Sequence, residues 1–309
     1  MRLTLRKLQL FCAIARTGST MAGAEAASLS QSATSAALGE LETALGARLF
    51  DRVGKRLVLN DAGRSLLPEA LALLEQAQVI DERFGGGAAM ARVRFRLAAS
   101  TTIGNYVLPS LLAAFREQMP QASLDVWIGN TLGVAQIVAG FEADLGMIEG
   151  PCHIPDLQVL PWLDDELVLV AAPGHALAMA AEQAPLSALQ LRAAPWLLRE
   201  AGSGTREAVE QALLPYLHHV QSDTTLGSSE AIKNAVAAGL GVSCLSRVLV
   251  QDMIDAGRLH ELKSELPVLK RSFSLIHRRE KRLSDALTGF LELCRSAAAI
   301  SSEGRLRAS

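Results

Sequence analysis

Four short runs carry residue types suited to holding a small anion: Ser100-Thr101-Thr102, Asn130-Thr131, Gly202-Ser203-Gly204-Thr205 and Ser228-Ser229. Each opens a helical stretch, where unpaired backbone N–H groups and the positive end of the helix meet hydroxyl donors. Capping alone accounts for any one of them. All four stand at strand-to-helix turns, the side of an α/β sheet from which ligands are bound. A second group, Gln31, Ser32, Thr34 and Ser35, begins a helical pattern near the N-terminus. Gln matches adenine edges, and Ser and Thr meet bases or phosphates. The same group also reads as an N-cap cluster on a solvated helix. Arg52, Lys55 and Arg56 follow on two extended runs about Gly54, which places cations over phosphates in the manner of a wing.

Catalytic and metal chemistry are absent from the pattern. No GxSxG, HExxH, Walker loop or GxGxxG precedes a suitable helix, and Ser203 has no base nearby in sequence, so the chain is not expected to be an enzyme. Cys12, Cys152, Cys244 and Cys294 are widely separated, which excludes a zinc ribbon. Cys152-His153 are neighbours on an extended segment and point to opposite sides without a third ligand, so no metal and no cofactor are expected. His175, His218, His219, His260 and His277 lie on polar stretches and are expected to be solvated.

The elements that position these residues follow from periodicity. Thr4 caps a helix with Leu5, Leu8, Cys12 and Ala15 on one side, and Gly18 ends it. Ser19 caps a short alanine-rich helix, Thr20 to Ala27. Ser30 starts a third, Gln31 to Leu45, with Ala33, Ala37, Leu41 and Ala44 inward and Gly46 as its stop. The first 60 residues thus read as a winged helix-turn-helix, with the third helix as recognition helix. They hold eight Arg and Lys against four acids, whereas the whole chain of 309 residues has a net charge of −2. A basic head on an acidic body points to one end that meets a polyanion.

From Asp61 to Phe84 the residues Leu66, Ala70, Leu73, Ala77 and Ile80 recur at alternating spacings of four and three, a heptad seam for dimerisation. Such a helix spans about 35 Å, one turn of B-DNA, so two heads could reach successive major grooves. Packing of the seam on its own chain is the alternative. Residues 85–90, opening on three glycines, form a joint. Beyond it, strands at Arg92–Ala99, Leu124–Ile128, Leu145–Ile148, Val159–Leu160, Glu166–Ala171 and Trp196–Leu198 alternate with helices at Tyr106–Gln118, Val134–Phe141, Thr205–Tyr216 and Glu230–Ala238, an α/β body. No run is long and apolar enough for a membrane span, and the N-terminus lacks the features of a signal peptide, so a cytoplasmic protein is expected.

The runs Leu29 to Ser35 and Leu41 to Arg52, with Leu59-Asn60-Asp61-Ala62-Gly63, closely resemble the head of LysR-type transcriptional regulators. Ser100 to Tyr106, Ile148 to His153 and Arg199 to Glu207 resemble its sulfur-linked branch, CysL- and YeiE-like. Ala27, Thr20 and Ala36 depart from the family pattern, so operator preference does not transfer. The resemblance implies an α + α/β architecture: a winged helix-turn-helix (1–60), a long linker helix (61–84), and a two-lobed periplasmic-binding-protein-like α/β effector domain. Its subdomains would be 91–163 plus 268–300 and 164–267, with crossings near Trp162–Asp165 and Leu266–Leu269. It further implies promoter DNA as partner, dimers through the linker helix pairing into tetramers, and RNA polymerase as a further candidate partner.

The family's ligand cleft maps onto Ser100, Thr101, Thr102, Glu149, Ser203 and Thr205, to which the hydroxyl runs add Thr131. A carboxylate in an anion cleft repels its ligand unless a proton or cation intervenes. Glu149 therefore favours sulfite/bisulfite over sulfate as effector of a regulator of sulfur genes. An amine- or carboxylate-bearing metabolite is the alternative, as is a solute-binding protein without DNA function. Glu149 also reads as a plain acceptor for backbone N–H groups, and Arg199 and Arg206 as balancing charges or as surface pairs.

Overall fold

Thr4 and Ser30 act as their positions before apolar-periodic runs require. In the computed structural model their hydroxyls accept the N–H of Lys7 at 3.4 Å and of Ala33 at 3.2 Å. Gly18 and Gly46 close the same two helices in the left-handed conformation that glycine adopts without strain. The structure describes residues 3–26, 30–54, 56–84, 94–218, 220, 222–281 and 284–307. The chain divides into two compact units, Met1–Ala91 and Arg92–Ser309.

The first unit runs α1 (Leu5–Thr17), α2 (Thr20–Ala26), α3 (Gln31–Leu45), the hairpin β1 (Phe50–Val53) and β2 (Arg56–Leu59), and α4 (Asp61–Phe84). Its core joins Leu8, Phe11 and Ile14 of α1, Leu38 and Leu41 of α3, Leu49 and Phe50. Asn60 fastens the start of α4: its amide donates to the Arg48 carbonyl at 2.9 Å, and its side-chain oxygen accepts the Gly63 N–H.

Two expectations fail in this unit. Of the residues expected inward on α3, Leu41 is buried, Ala37 packs against the same core and Ala44 is half-buried, whereas Ala33 is exposed and Thr34 and Leu38 are buried instead. Ala33 lies at the edge of the face that the two leucines set. On α4, Ala70 is fully buried within the chain, and Leu66, Leu67 and Leu74 pack against the same core. The head supplies the apolar partner for that half of the stripe, so Ala70 is not free to face a second chain. Leu73 and Ile80, one heptad apart, remain exposed at 45% and 57%, and Ala77 is half-buried.

The second unit runs β3 (Arg94–Ser100), α5 (Thr101–Tyr106), α6 (Leu108–Gln118), β4 (Ser123–Gly129), α7 (Thr131–Ala139), β5 (Leu145–Glu149), β6 (Leu157–Ala171), α8 (Ala176–Gln183), α9 (Ala188–Arg192) and β7 (Trp196–Arg199). It continues through α10 (Gly204–Leu217), β8 (Ser222–Leu226), α11 (Ser229–Ala237), β9 (Ser243–Ser246), α12 (Arg247–Asp255), β10 (His260–Glu261), β11 (Leu269–Arg278) and α13 (Asp285–Arg307). β3 pairs in parallel with β4 and β5, and β7 with β8.

Strands β6 and β11 are long and antiparallel, and carry the chain between two groups of cores. One core gathers Phe95, Phe115, Leu145, Phe273 and Phe290. Two others gather Leu167, Trp196 and Leu213, and Val168, Ile232 and Leu249. Val159–Leu160 and Glu166–Ala171, expected as separate strands, are the two ends of the 15-residue β6. Pro161 and Asp164-Asp165 interrupt the apolar pattern without interrupting the strand. The expected helix from Tyr106 to Gln118 is split after Tyr106, and α5 begins at Thr101, directly after β3. Among the described residues no helix is long and apolar enough to cross a membrane.

Candidate functional site

The four hydroxyl-bearing turns converge. Ser100 ends β3, Asn130 follows β4, Glu149 ends β5 beside β3, and Arg199 ends β7. Arg199 ties the turns together: Nη1 donates to Thr101 Oγ1 at 3.0 Å and to Ser229 Oγ at 2.5 Å. Its other edge grips Glu200, Nε to Oε2 at 2.8 Å and Nη2 to Oε1 at 3.0 Å, and Asn130 Nδ2 donates to that Oε1 at 3.0 Å. Burial pushes the Glu200 carboxyl up, but the Arg199 and Asn130 donors outweigh it and hold the group below its ordinary value. The Arg199 side chain is 2% exposed and that of Glu200 28%, so a buried guanidinium meets a half-buried carboxylate and the pair is not a surface one. Arg206 pairs with Glu210 and donates to the Arg199 carbonyl.

Glu149 has a partner that the sequence reading missed. Arg271 Nη2 lies 2.9 Å from Glu149 Oε2, both side chains 2% exposed. The same guanidinium donates through Nε to Asp165 at 2.7 Å and through Nη1 to Thr205 Oγ1 at 2.8 Å. Strand register explains the cluster. Arg271 lies opposite Asp165, and Phe273 lies opposite Glu149, so Arg271, two residues away on the same face, is the diagonal neighbour of Glu149. The Glu149 contact is ionic and lacks hydrogen-bond alignment, so neither Glu149 Oε2 nor Arg271 Nη2 completes a hydrogen bond among the described residues. Burial pushes the Asp165 carboxyl up despite Arg271 and the Ser246 hydroxyl.

Thr131 Oγ1 donates to the Glu149 carbonyl at 2.8 Å, and Ser203 Oγ accepts the Arg206 N–H that it caps. Ser100 Oγ is fully buried with no hydrogen-bond partner among the described residues, and Thr102 is buried beside it in sequence. Gly204 is the point of closest approach: a Cβ there would lie 1.5 Å from the Glu149 carbonyl oxygen.

In the head, Gln31, Ser32 and Ser35 are exposed on the first turns of α3, and Arg52 and Arg56 on the hairpin; Lys55 lies outside the described residues. Thr34 is a correction. It is 0% exposed, and its hydroxyl has no hydrogen-bond partner among the described residues, so it faces the core and not a base edge. Thr34→Val should therefore raise the stability of the head by about 1 kcal/mol, since an unsatisfied hydroxyl is removed with little change of shape. Thermal unfolding reads the gain, and gel-shift affinity should stay that of wild type.

His277, expected to be solvated, is buried and places Nδ1 2.8 Å from the Arg278 carbonyl oxygen. His153 is exposed and pairs with Glu207, and Cys152 is half-buried. Burial pushes the Cys244 and Cys294 thiols up to about 12 and Cys12 to about 11, which leaves all three inert near neutral pH.

Two family models cover nearly the whole chain: "Bacterial regulatory helix-turn-helix protein, lysR family" over residues 5–64 and "LysR substrate binding domain" over 88–299. A protein of Escherichia coli K12 called "Uncharacterized HTH-type transcriptional regulator YeiE" is 49% identical over 296 residues, 95% of this chain and 98% of that protein. The "HTH-type transcriptional regulator CysL" of Bacillus subtilis is 33% identical, over 87% of this chain and 89% of its own. Among solved structures, the regulatory domain of Synechocystis PCC6803 CcmR in complex with 2-PG is 31% identical. It aligns with a TM-score of 0.60 over 66% of this chain and 97% of its own.

Proposed function

Because the chain belongs to the LysR family of DNA-binding transcriptional regulators, with an effector-binding domain, we propose that its effector is a small sulfur oxyanion, with sulfite preferred to sulfate. The ligand sits among Ser100, Thr101, Thr102, Thr131, Glu149, Ser203 and Thr205 and adjusts the grip of the head on promoters of sulfur-related genes. Gln31, Ser32, Ser35, Arg52 and Arg56 meet the DNA. Two chains pair along the exposed Leu73 and Ile80 side of α4, and the pairs associate into tetramers.

The convergence of the hydroxyl turns carries this reading: Arg199 joins Thr101 to Ser229, and the Ser100 hydroxyl next to Thr101 is buried without a hydrogen-bond partner among the described residues. Glu149 adds the preference for sulfite. Arg271 brings one positive charge to the two carboxyl groups it touches, and Glu149 Oε2 completes no hydrogen bond among the described residues. Bisulfite carries one negative charge and one proton for that oxygen, whereas sulfate brings two charges and no proton. The similarity to a regulatory domain solved in complex with 2-PG supports a small-molecule effector.

Calorimetric titration of sulfite, sulfate, thiosulfate and O-acetylserine into the full chain tests the proposal. Sulfite should bind most tightly, and Ser100→Ala and Glu149→Gln should each weaken it at least about tenfold, the loss of one hydrogen bond to a charged ligand. Unchanged affinity in both variants refutes the site. Binding of O-acetylserine in place of sulfite selects an amine-bearing effector instead.

A further inference from the structure

The polarity of the hydroxyls around the site is fixed by two buried arginines. A guanidinium has donors only, so each hydroxyl oxygen it bonds is an acceptor in that bond and keeps its own O–H for another partner. Thr101 and Ser229 both accept from Arg199 Nη1, and Thr205 accepts from Arg271 Nη1. Among the described residues none of these three hydroxyls donates a hydrogen bond, and Ser100 Oγ has no hydrogen-bond partner. Arg199 is engaged with both Glu200 oxygens; Arg271, at the neighbouring turn, is ion-paired with Asp165 and Glu149, its Nη2 making no hydrogen bond among the described residues. What remains for a ligand at the joined N-terminal turns of α5 and α11 is a pair of hydroxyl protons, not a free cation.

We infer that Arg199 is a positioning residue for the effector, and that Ser229 is an additional ligand-contacting residue. By occupying one lone pair on each of Thr101 and Ser229, Arg199 turns both O–H groups outward, so the site favours ligands whose facing atoms accept. Glu200 holds the guanidinium in the orientation that bonds both oxygens. The inference rests on the oxyanion reading above and adds the device that enforces it.

A double-mutant cycle on the full chain, read by calorimetry with sulfite as the probe, separates action through the hydroxyls from direct contact. Thr101→Val with Ser229→Ala should weaken sulfite about thirtyfold, and Arg199→Met alone about tenfold, as the freed hydroxyls lose their enforced direction. Adding Arg199→Met to the Thr101→Val, Ser229→Ala background should then cost nothing further. A full additional tenfold loss in that background would mean that Arg199 touches the ligand, and would overturn the inference while leaving the oxyanion site standing. If the methionine variant fails to fold, Arg199→Lys serves the same cycle. It keeps the charge but not the two-hydroxyl fork, so its smaller loss should also vanish in the double background, and persistence of that loss counts against the inference. Absence of sulfite binding to the wild-type chain overturns both readings.

Discussion

Arg271→Met is expected to destabilise the second unit by roughly 3–5 kcal/mol near neutral pH, the cost of leaving buried charges without their partner. The guanidinium lies within 2.9 Å of Glu149 and 2.7 Å of Asp165, all three side chains almost fully enclosed. Without it, two buried carboxyl groups share one low-dielectric space with no cation between them. The pH dependence carries the sign of the effect. Asp165 already has a raised folded-state value, mainly through burial, so the folded chain binds that proton more tightly than the unfolded one. Stability from such a group is fully present below the unfolded carboxylate value and is lost as pH rises through the folded one. Removing Arg271 raises Asp165 further, so the deficit of the variant should be small in acid and grow toward neutral pH. Calorimetric unfolding from acid to neutral pH measures this, and adding Glu149→Gln and Asp165→Asn should restore much of the loss. A deficit independent of pH would show that Asp165 does not depend on Arg271 for its charge.

This cluster also marks the limit of what the sequence discloses. The caps at Thr4, Ser30 and Ser203 and the bounds of α4, Asp61 to Phe84, are legible because each rests on chemistry within one helical turn. The turns that gather around Arg199 are legible for the same reason: every hydroxyl there begins its own helix. Arg271 is not legible, because its meaning depends on the register of β11 against strands far away in the chain, its Asp165 partner being 106 residues distant. Thr34 and Ala70 fail differently. A periodic pattern gives the face of a helix but not the partner it meets, and both residues turn toward the core of the head. Where polar and small residues share a stripe, the phase is set by which leucines find a core, a tertiary decision.

Gly204→Ala should cost more than the ~1–3 kcal/mol usual for an added methyl in a packed interior, and should weaken sulfite binding by at least about tenfold. The new Cβ would fall 1.5 Å from the Glu149 carbonyl oxygen and 2.5 Å from Thr131 Oγ1. The first of these is backbone of a fully buried strand, so relief cannot come from a swinging side chain. The first turn of α10 must instead withdraw from the end of β5. That movement carries Thr205 away from Arg271, which it meets at 2.8 Å, and carries Ser203 with it. The four turns then no longer enclose one ligand, even if each helix stays capped. Gly174→Ala is the matched control, because a Cβ there meets no atom within 4 Å. It should melt and titrate like the wild type, whereas Gly204→Ala should melt earlier and lose its response to sulfite. Wild-type affinity in Gly204→Ala would place the ligand away from the junction of α10 with β5, and the cleft assignment would fall with it.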